Sequence, residues 1–136
     1  MTNDWLFLDT SGLLCIHDEN DVRNKKAIEY FTGAKRLLTT NYVLAEFVPL
    51  SYSRGKNRRE TIAYVKDILQ IPRLELVWID ESYHNRAMEL LENRLDKSYS
   101  LCDAVSFILM SERRMTNALT TDKHFEQENF VRLLKS

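Results

Sequence analysis

Short apolar runs alternate with longer amphipathic segments along this chain of 136 residues. Trp5-Leu6-Phe7-Leu8 is too brief for a helix, which predicts a buried strand over residues 5–9 ending at Asp9. Arg36 to Thr39, Leu74 to Ile79, Asn117 to Thr121 and Phe130 to Leu134 are further strand-like stretches. Helical patterns lie between them. One runs from Asp21, as N-cap, to Phe31, with Gly33 as stop signal, and another from about Asn41 to Ser53. A third follows the turn at 53–59 and reaches Ile71, where Pro72 closes it. Ser82 to Arg94, with Ser82 as cap, and the more apolar Ser100 to Arg113 complete the set, and a helix is also expected after Asp9-Thr10-Ser11-Gly12.

Strands that alternate with helices need crossover connections, so the pattern predicts a mostly parallel sheet covered on both faces. With right-handed crossovers the fold class is an α/β/α sandwich formed by a single domain over residues 1–136. Ligands of such sheets sit beyond the carboxyl ends of the strands, where strand order reverses. Asp9 and Asp122 both fall at the carboxyl ends of predicted strands.

Composition narrows the picture without identifying a function. Hydrophobic residues make up 44% and charged residues 29%, an ordinary globular balance. No apolar run approaches the roughly 20 residues needed to span a bilayer. The opening Met1-Thr2-Asn3-Asp4 lacks the basic start of a secretory signal, so a cytoplasmic location and no membrane partner are expected. Cys15 and Cys102 have no CxxC context and are expected to be small buried hydrophobes. His17, His84 and His124 lack metal-ligand spacing and are assigned surface or capping roles. A net charge of −1 gives no global support to nucleic-acid binding, which must rest on local features.

Four acids carry the chemistry. Asp9 and Asp122 follow strands, whereas Glu46 and Asp103 lie within apolar helical patterns. Each has an ordinary structural reading. Asp9 could cap a helix and Asp122 a turn. Glu46, about 60° from Val43 on the helical wheel, could snorkel from the flank of an apolar arc. Ser100-Leu101-Cys102-Asp103 has the spacing of a capping box. Together the acids point elsewhere, because carboxylates beside a core are costly unless a positive group meets them. A hard divalent cation such as Mg²⁺ is the common partner of convergent carboxylates and brings metal-assisted phosphoryl chemistry with it.

The basic turn supplies Arg54, Lys56, Arg58 and Arg59, either as a solvated loop or as contacts to a phosphate backbone. Tyr42 and Tyr52, near helix ends, could pack in the core or stack on bases.

Four segments carry a family resemblance: Leu8-Asp9-Thr10-Ser11-Gly12-Leu13-Leu14, Thr39-Thr40-Asn41-Tyr42-Val43-Leu44-Ala45-Glu46-Phe47, Ser100-Leu101-Cys102-Asp103-Ala104-Val105-Ser106-Phe107 and Leu119-Thr120-Thr121-Asp122-Lys123-His124-Phe125. In this order they resemble the four motifs of the PIN-domain family across nearly the whole chain. The resemblance implies a parallel-sheet sandwich and a Mg²⁺- or Mn²⁺-dependent endoribonuclease acting on RNA, often the toxin of a VapC-type toxin–antitoxin pair. It makes Asp9, Glu46, Asp103 and Asp122 the catalytic and metal-binding acids, with Ser11 and Thr120 as supporting polar residues. A homodimer and a small antitoxin are the protein partners it implies. One departure is Cys102, where members of the family often carry Thr before the third acid.

Competing classes fit less well. A haloacid-dehalogenase-like phosphatase has a second Asp two residues after the first, and this chain has Ser11 there. A receiver domain needs clustered acids after its first strand, and Asp9 stands alone. An inactive RNA-binding or protein-interaction module on the same fold has no need of all four carboxylates.

Overall fold

The structure, a computed structural model, describes residues 4–135. Met1 to Asn3, where the reading for a secretory signal begins, lie outside the described residues. Five strands among the described residues form one parallel sheet: β1 (Trp5–Leu8), β2 (Arg36–Thr40), β3 (Leu74–Val77), β4 (Asn117–Leu119) and β5 (Val131–Arg132), in the order β3-β2-β1-β4-β5. Phe7 pairs with Leu38 on one side and Ala118 on the other, so β1 is central. Its Leu6, Phe7 and Leu8 are consecutively buried, as are Leu37 to Thr40 of β2. Consecutive burial in a strand requires cover on both faces, as the sequence pattern led us to expect.

Among the described residues seven helices supply that cover: α1 (Thr10–His17), α2 (Asn24–Gly33), α3 (Asn41–Ser53), α4 (Arg58–Leu69), α5 (Glu81–Glu92), α6 (Leu101–Glu112) and the short α7 (His124–Gln127). The core gathers Phe7, Leu8, Leu13, Phe47, Phe107 and Phe125, all at most 2% exposed. Fully burying side chains of this size contributes about 1.5–3 kcal/mol each. Gly12 is indispensable to the packing of α1. A Cβ there would lie 2.0 Å from the Leu119 carbonyl oxygen, so only glycine lets this helix rest directly on the end of β4. The turn at Gly55 needs glycine for a different reason, its φ of +81°.

Element boundaries differ from the expectations in instructive ways. The cap of α5 is Asp80, whose carboxylate accepts from the Tyr83 N–H at 3.0 Å, and not Ser82. Asp21 does not cap α2, which starts at Asn24. Its carboxylate instead closes a tight turn onto the Arg23 N–H at 2.8 Å and pairs with the Arg23 side chain. The predicted strands through residues 9, 79 and 121 stop short, at Leu8, Val77 and Leu119. Polar groups there take over from ladder bonds; the Thr121 N–H, for example, donates to Ser11 Oγ at 3.0 Å.

The strand order reverses beside β1. From there the chain moves to β2 and β3 on one side, then returns to β4 on the other. The crevice between the carboxyl ends of β1 and β4 is therefore the site the topology marks.

Candidate active site

Each of the four acids reaches that crevice from a different element. Asp9 follows β1, Glu46 projects from the second turn of α3, Asp103 sits in the first turn of α6 and Asp122 lies just beyond β4. All four, with Ser11 and His124, line one cavity of about 500 Å³. A slightly larger hollow of about 560 Å³ lies elsewhere, between the end of α1 and α4. Its acids Glu19, Glu60 and Asp67 share the hollow with Lys56, and the ligand atoms that converge within 4.8 Å of one another belong to the other cavity, so size does not decide between the two.

Asp9 is 5% exposed and makes no side-chain bond to cap α1, although it occupies the N-cap position. Its Oδ2 accepts instead from Thr120 Oγ1 at 2.7 Å and Ser11 Oγ at 3.3 Å. The two hydroxyls lie 3.2 Å apart, and Thr120 Oγ1 also accepts from the Asp122 N–H at 3.0 Å. Ser11 and Thr120 thus tie the end of β1 to the end of β4 and fix the Asp9 rotamer. Burial pushes the Asp9 carboxyl up to about 7, the Thr120 bond pulls the other way, and the charges of Asp103 and Glu46 add to the rise.

Asp103 serves two purposes. Its N–H donates to Ser100 Oγ at 2.9 Å, and its Oδ2 accepts from the Ser100 N–H at 3.0 Å, which completes a capping box. The same carboxylate faces the cavity. Burial holds its pKa above the usual carboxylate range, and the Asp122 charge raises it further. Glu46 accepts from Thr10 Oγ1 at 2.6 Å. Asp122 turns back on itself, its Oδ1 accepting from the His124 N–H at 2.9 Å.

His124 is where the sequence reading needs correction. It is neither a surface group nor a cap: its Nδ1 lies 3.2 Å from Asp103 Oδ2 and 3.4 Å from Asp122 Oδ2. The signal was its place two residues after Asp122, where a carboxylate that bonds the His124 N–H carries the ring into the cleft. Asp103, Asp122 and His124 offer ligand atoms that all lie within 4.8 Å of one another. Among the described residues no Lys or Arg pairs with any of the four acids. Two buried carboxylates, Asp9 and Asp103, that share a cleft with the half-buried Asp122 and the more exposed Glu46 and have no paired lysine or arginine are a donor set suited to a divalent cation.

Cys102 is buried beside Glu46. Burial pushes its thiol well above the ordinary range, and Glu46, Asp9 and Asp103 add to the effect. Cys15 is likewise buried and free, as expected.

The basic turn divides. Arg54 shares a small hollow with Ser11 and Thr121, which also border the acidic cleft. Lys56 is paired with Asp18 at 2.9 Å, on the side of the other hollow. Arg58 lies over the Tyr52 ring at 4.8 Å, and Arg59 is exposed. Tyr52 is thus occupied by a guanidinium, and the Tyr42 hydroxyl is bonded to His84 Nδ1 at 2.6 Å.

Comparison with known proteins places this geometry. The 23S rRNA-specific endonuclease VapC20, known from two strains of Mycobacterium tuberculosis, is 28% identical over 127 residues, 93% of this chain and 95% of its own. The crystal structure of Mycobacterium tuberculosis VapC20, described as a sarcin–ricin loop cleaving toxin, superposes with a TM-score of 0.83 at 25% identity, covering 93% of this chain and 96% of that one. VapBC2 from Rickettsia felis, solved bound to a DNA fragment from its promoter, shares the fold at a TM-score of 0.65 and 16% identity, covering 93% of this chain and 96% of that one. The sequence pattern of the PIN domain matches residues 6–130. The chain belongs to the PIN-domain family.

Proposed function

We propose that this protein is a divalent-metal-dependent endoribonuclease that hydrolyses RNA phosphodiester bonds, and that it is the toxin of a VapC-type pair. The observation that carries this reading is the meeting of Asp9, Glu46, Asp103 and Asp122 in one cavity at the carboxyl ends of β1 and β4. These acids would hold Mg²⁺ or Mn²⁺, which supplies an acidified water and neutralises charge on the leaving oxygen.

The chain's own groups do the rest. Thr120 and Ser11 hold Asp9 through Oδ2, while Oδ1 takes no side-chain hydrogen bond among the described residues. Thr10 orients Glu46, and the capping box orients Asp103. Arg54, beside Ser11 and Thr121, would hold a phosphate flanking the scissile bond. Lys56, Arg58 and Arg59 would act more remotely on the RNA backbone. Large ribosomal RNA is the substrate that the similarity to VapC20 suggests, and a small antitoxin and a second copy of the chain are the protein partners.

A denaturing gel with ribosomal RNA decides the matter. Cleavage is expected with Mg²⁺ or Mn²⁺ and none with EDTA or with Asp9→Asn. Cutting that persists in EDTA, or in the variant, would overturn the assignment.

A further inference from the structure

Metal chemistry by carboxylates alone leaves the imidazole in the cleft unexplained. His124 is anchored on three sides. Its backbone N–H donates to Asp122 Oδ1 at 2.9 Å, its Nε2 lies 3.2 Å from Ser98 Oγ, and Tyr99 packs edge-on against the ring with centroids 5.2 Å apart. The remaining nitrogen, Nδ1, points between Asp103 Oδ2 and Asp122 Oδ2, at 3.2 and 3.4 Å.

Those spacings have a direct meaning. Two donor atoms on neighbouring corners of an octahedron, each about 2.1 Å from a cation, lie about 3 Å apart. Nδ1 already stands near that spacing from each oxygen, and the three residues offer ligand atoms that all lie within 4.8 Å of one another. A histidine that binds a metal through one nitrogen generally needs a partner for the other, which fixes its orientation. Ser98 is such a partner, and a hydroxyl can either donate or accept. Without an ion, Nδ1–H faces the carboxylates and Nε2 accepts from Ser98. With an ion, the Nδ1 lone pair faces it and Nε2–H donates to Ser98. One ring position accommodates both tautomers.

We propose that His124 is a direct ligand of the ion through Nδ1, positioned by Ser98, and that its nitrogen shifts the site's preference from Mg²⁺ towards first-row transition ions. This rests on the metal-binding reading above. Mg²⁺ favours oxygen ligands and sheds water reluctantly, whereas an imidazole favours transition metals. A role confined to ion pairing with Asp103 and Asp122 makes the opposite forecast, since it gives the bound ion no contact with nitrogen and no reason to discriminate.

The test uses the full chain and the metals alone. Mn²⁺ and Mg²⁺ are titrated by calorimetry into the parent, His124→Ala and Asp103→Asn proteins. Pulsed paramagnetic resonance of bound Mn²⁺ then reports any directly coupled ¹⁴N. The parent is expected to show the ¹⁴N coupling. His124→Ala should lose it and weaken Mn²⁺ binding about 10–100-fold while changing Mg²⁺ binding far less. Parent protein that binds Mn²⁺ without ¹⁴N coupling overturns the ligand role, and this readout does not depend on any variant folding. Equal weakening of both ions in His124→Ala overturns the selectivity. Folded parent protein that binds neither ion, or binding untouched by Asp103→Asn, sinks the metal site itself.

Discussion

At the amino-terminal edge of the sheet, the guanidinium groups of Arg36 and Arg113 pack over the Trp5 ring, at 5.4 and 5.9 Å from its centroid. Arg113 also grips Glu75 with two bonds, of 2.7 and 3.1 Å. At the carboxyl-terminal edge, Asp9, Glu46, Asp103 and Asp122 share a cavity with one histidine and no paired lysine or arginine among the described residues. Helix α6 joins the two regions, with Asp103 in its first turn and Arg113 at its C-cap. The consequences for carboxyl groups run in opposite directions. Arg113 holds Glu75 below the usual range, whereas burial and like charges drive Asp9 up to about 7. The first edge is built to be complete in itself, and the second is left lacking positive charge.

The sharpest break in this contrast is at Asp9. Asp9→Asn should reduce RNA cleavage by at least about 10³-fold, equivalent to roughly 4 kcal/mol of transition-state stabilisation. Single-turnover cleavage measures it, and near-parental rates would dissolve the contrast. Gly12→Ala comes next. The new methyl group would collide with the Leu119 carbonyl, so a loss on the order of 3 kcal/mol is expected in denaturant unfolding.

The pH dependence of the metal-free protein tests the electrostatics of both edges. A carboxyl with a raised folded pKa binds its proton more tightly in the folded state, so its ionisation costs stability. For Asp9 that cost grows as pH rises from its ordinary 3.8 towards about 7, reaching on the order of 4 kcal/mol. Asp9→Asn should therefore stabilise the metal-free fold at pH 8 and do nothing of the kind at pH 3. Glu75 has the opposite sign. Its contribution is present above the ordinary glutamate pKa and is lost as pH falls through its lowered folded value.

Smaller effects sharpen the picture. Thr120→Val removes the 2.7 Å bond to Asp9 and is expected to weaken Mn²⁺ binding about 10–100-fold in calorimetric titration. Glu75→Gln breaks a pair that is largely open to solvent. It should cost less than about 1 kcal/mol in unfolding and leave cleavage unchanged.

Much of this was legible in the sequence. Apolar runs bounded by turn residues marked all five strands, and the alternation with helices implied a parallel sheet. Strand ends were harder to read, because Thr120 and Thr121 favour extended structure yet spend their polar groups on Asp9 and Ser11. Helix starts were ambiguous for a related reason, since Asp80 and Ser82 are both competent caps and only backbone geometry chooses between them. The four acids could be named in advance because a carboxylate in an apolar pattern is conspicuous. His124 was marked only by its place two residues after Asp122, because its other neighbour Asp103 lies 21 residues away and meets it only across the crevice. The uneven fate of the basic turn was equally hidden: Lys56 is engaged by Asp18, 38 positions earlier.

The order of the strands also bears on protein synthesis. A nascent polypeptide that has emerged only as far as α6 already carries three of the acids, yet it lacks Thr120, the hydroxyl that clasps Asp9, and the strand on which α1 comes to rest. The acidic cleft is thus a late product of translation, complete only once β4 and Asp122 have left the exit tunnel.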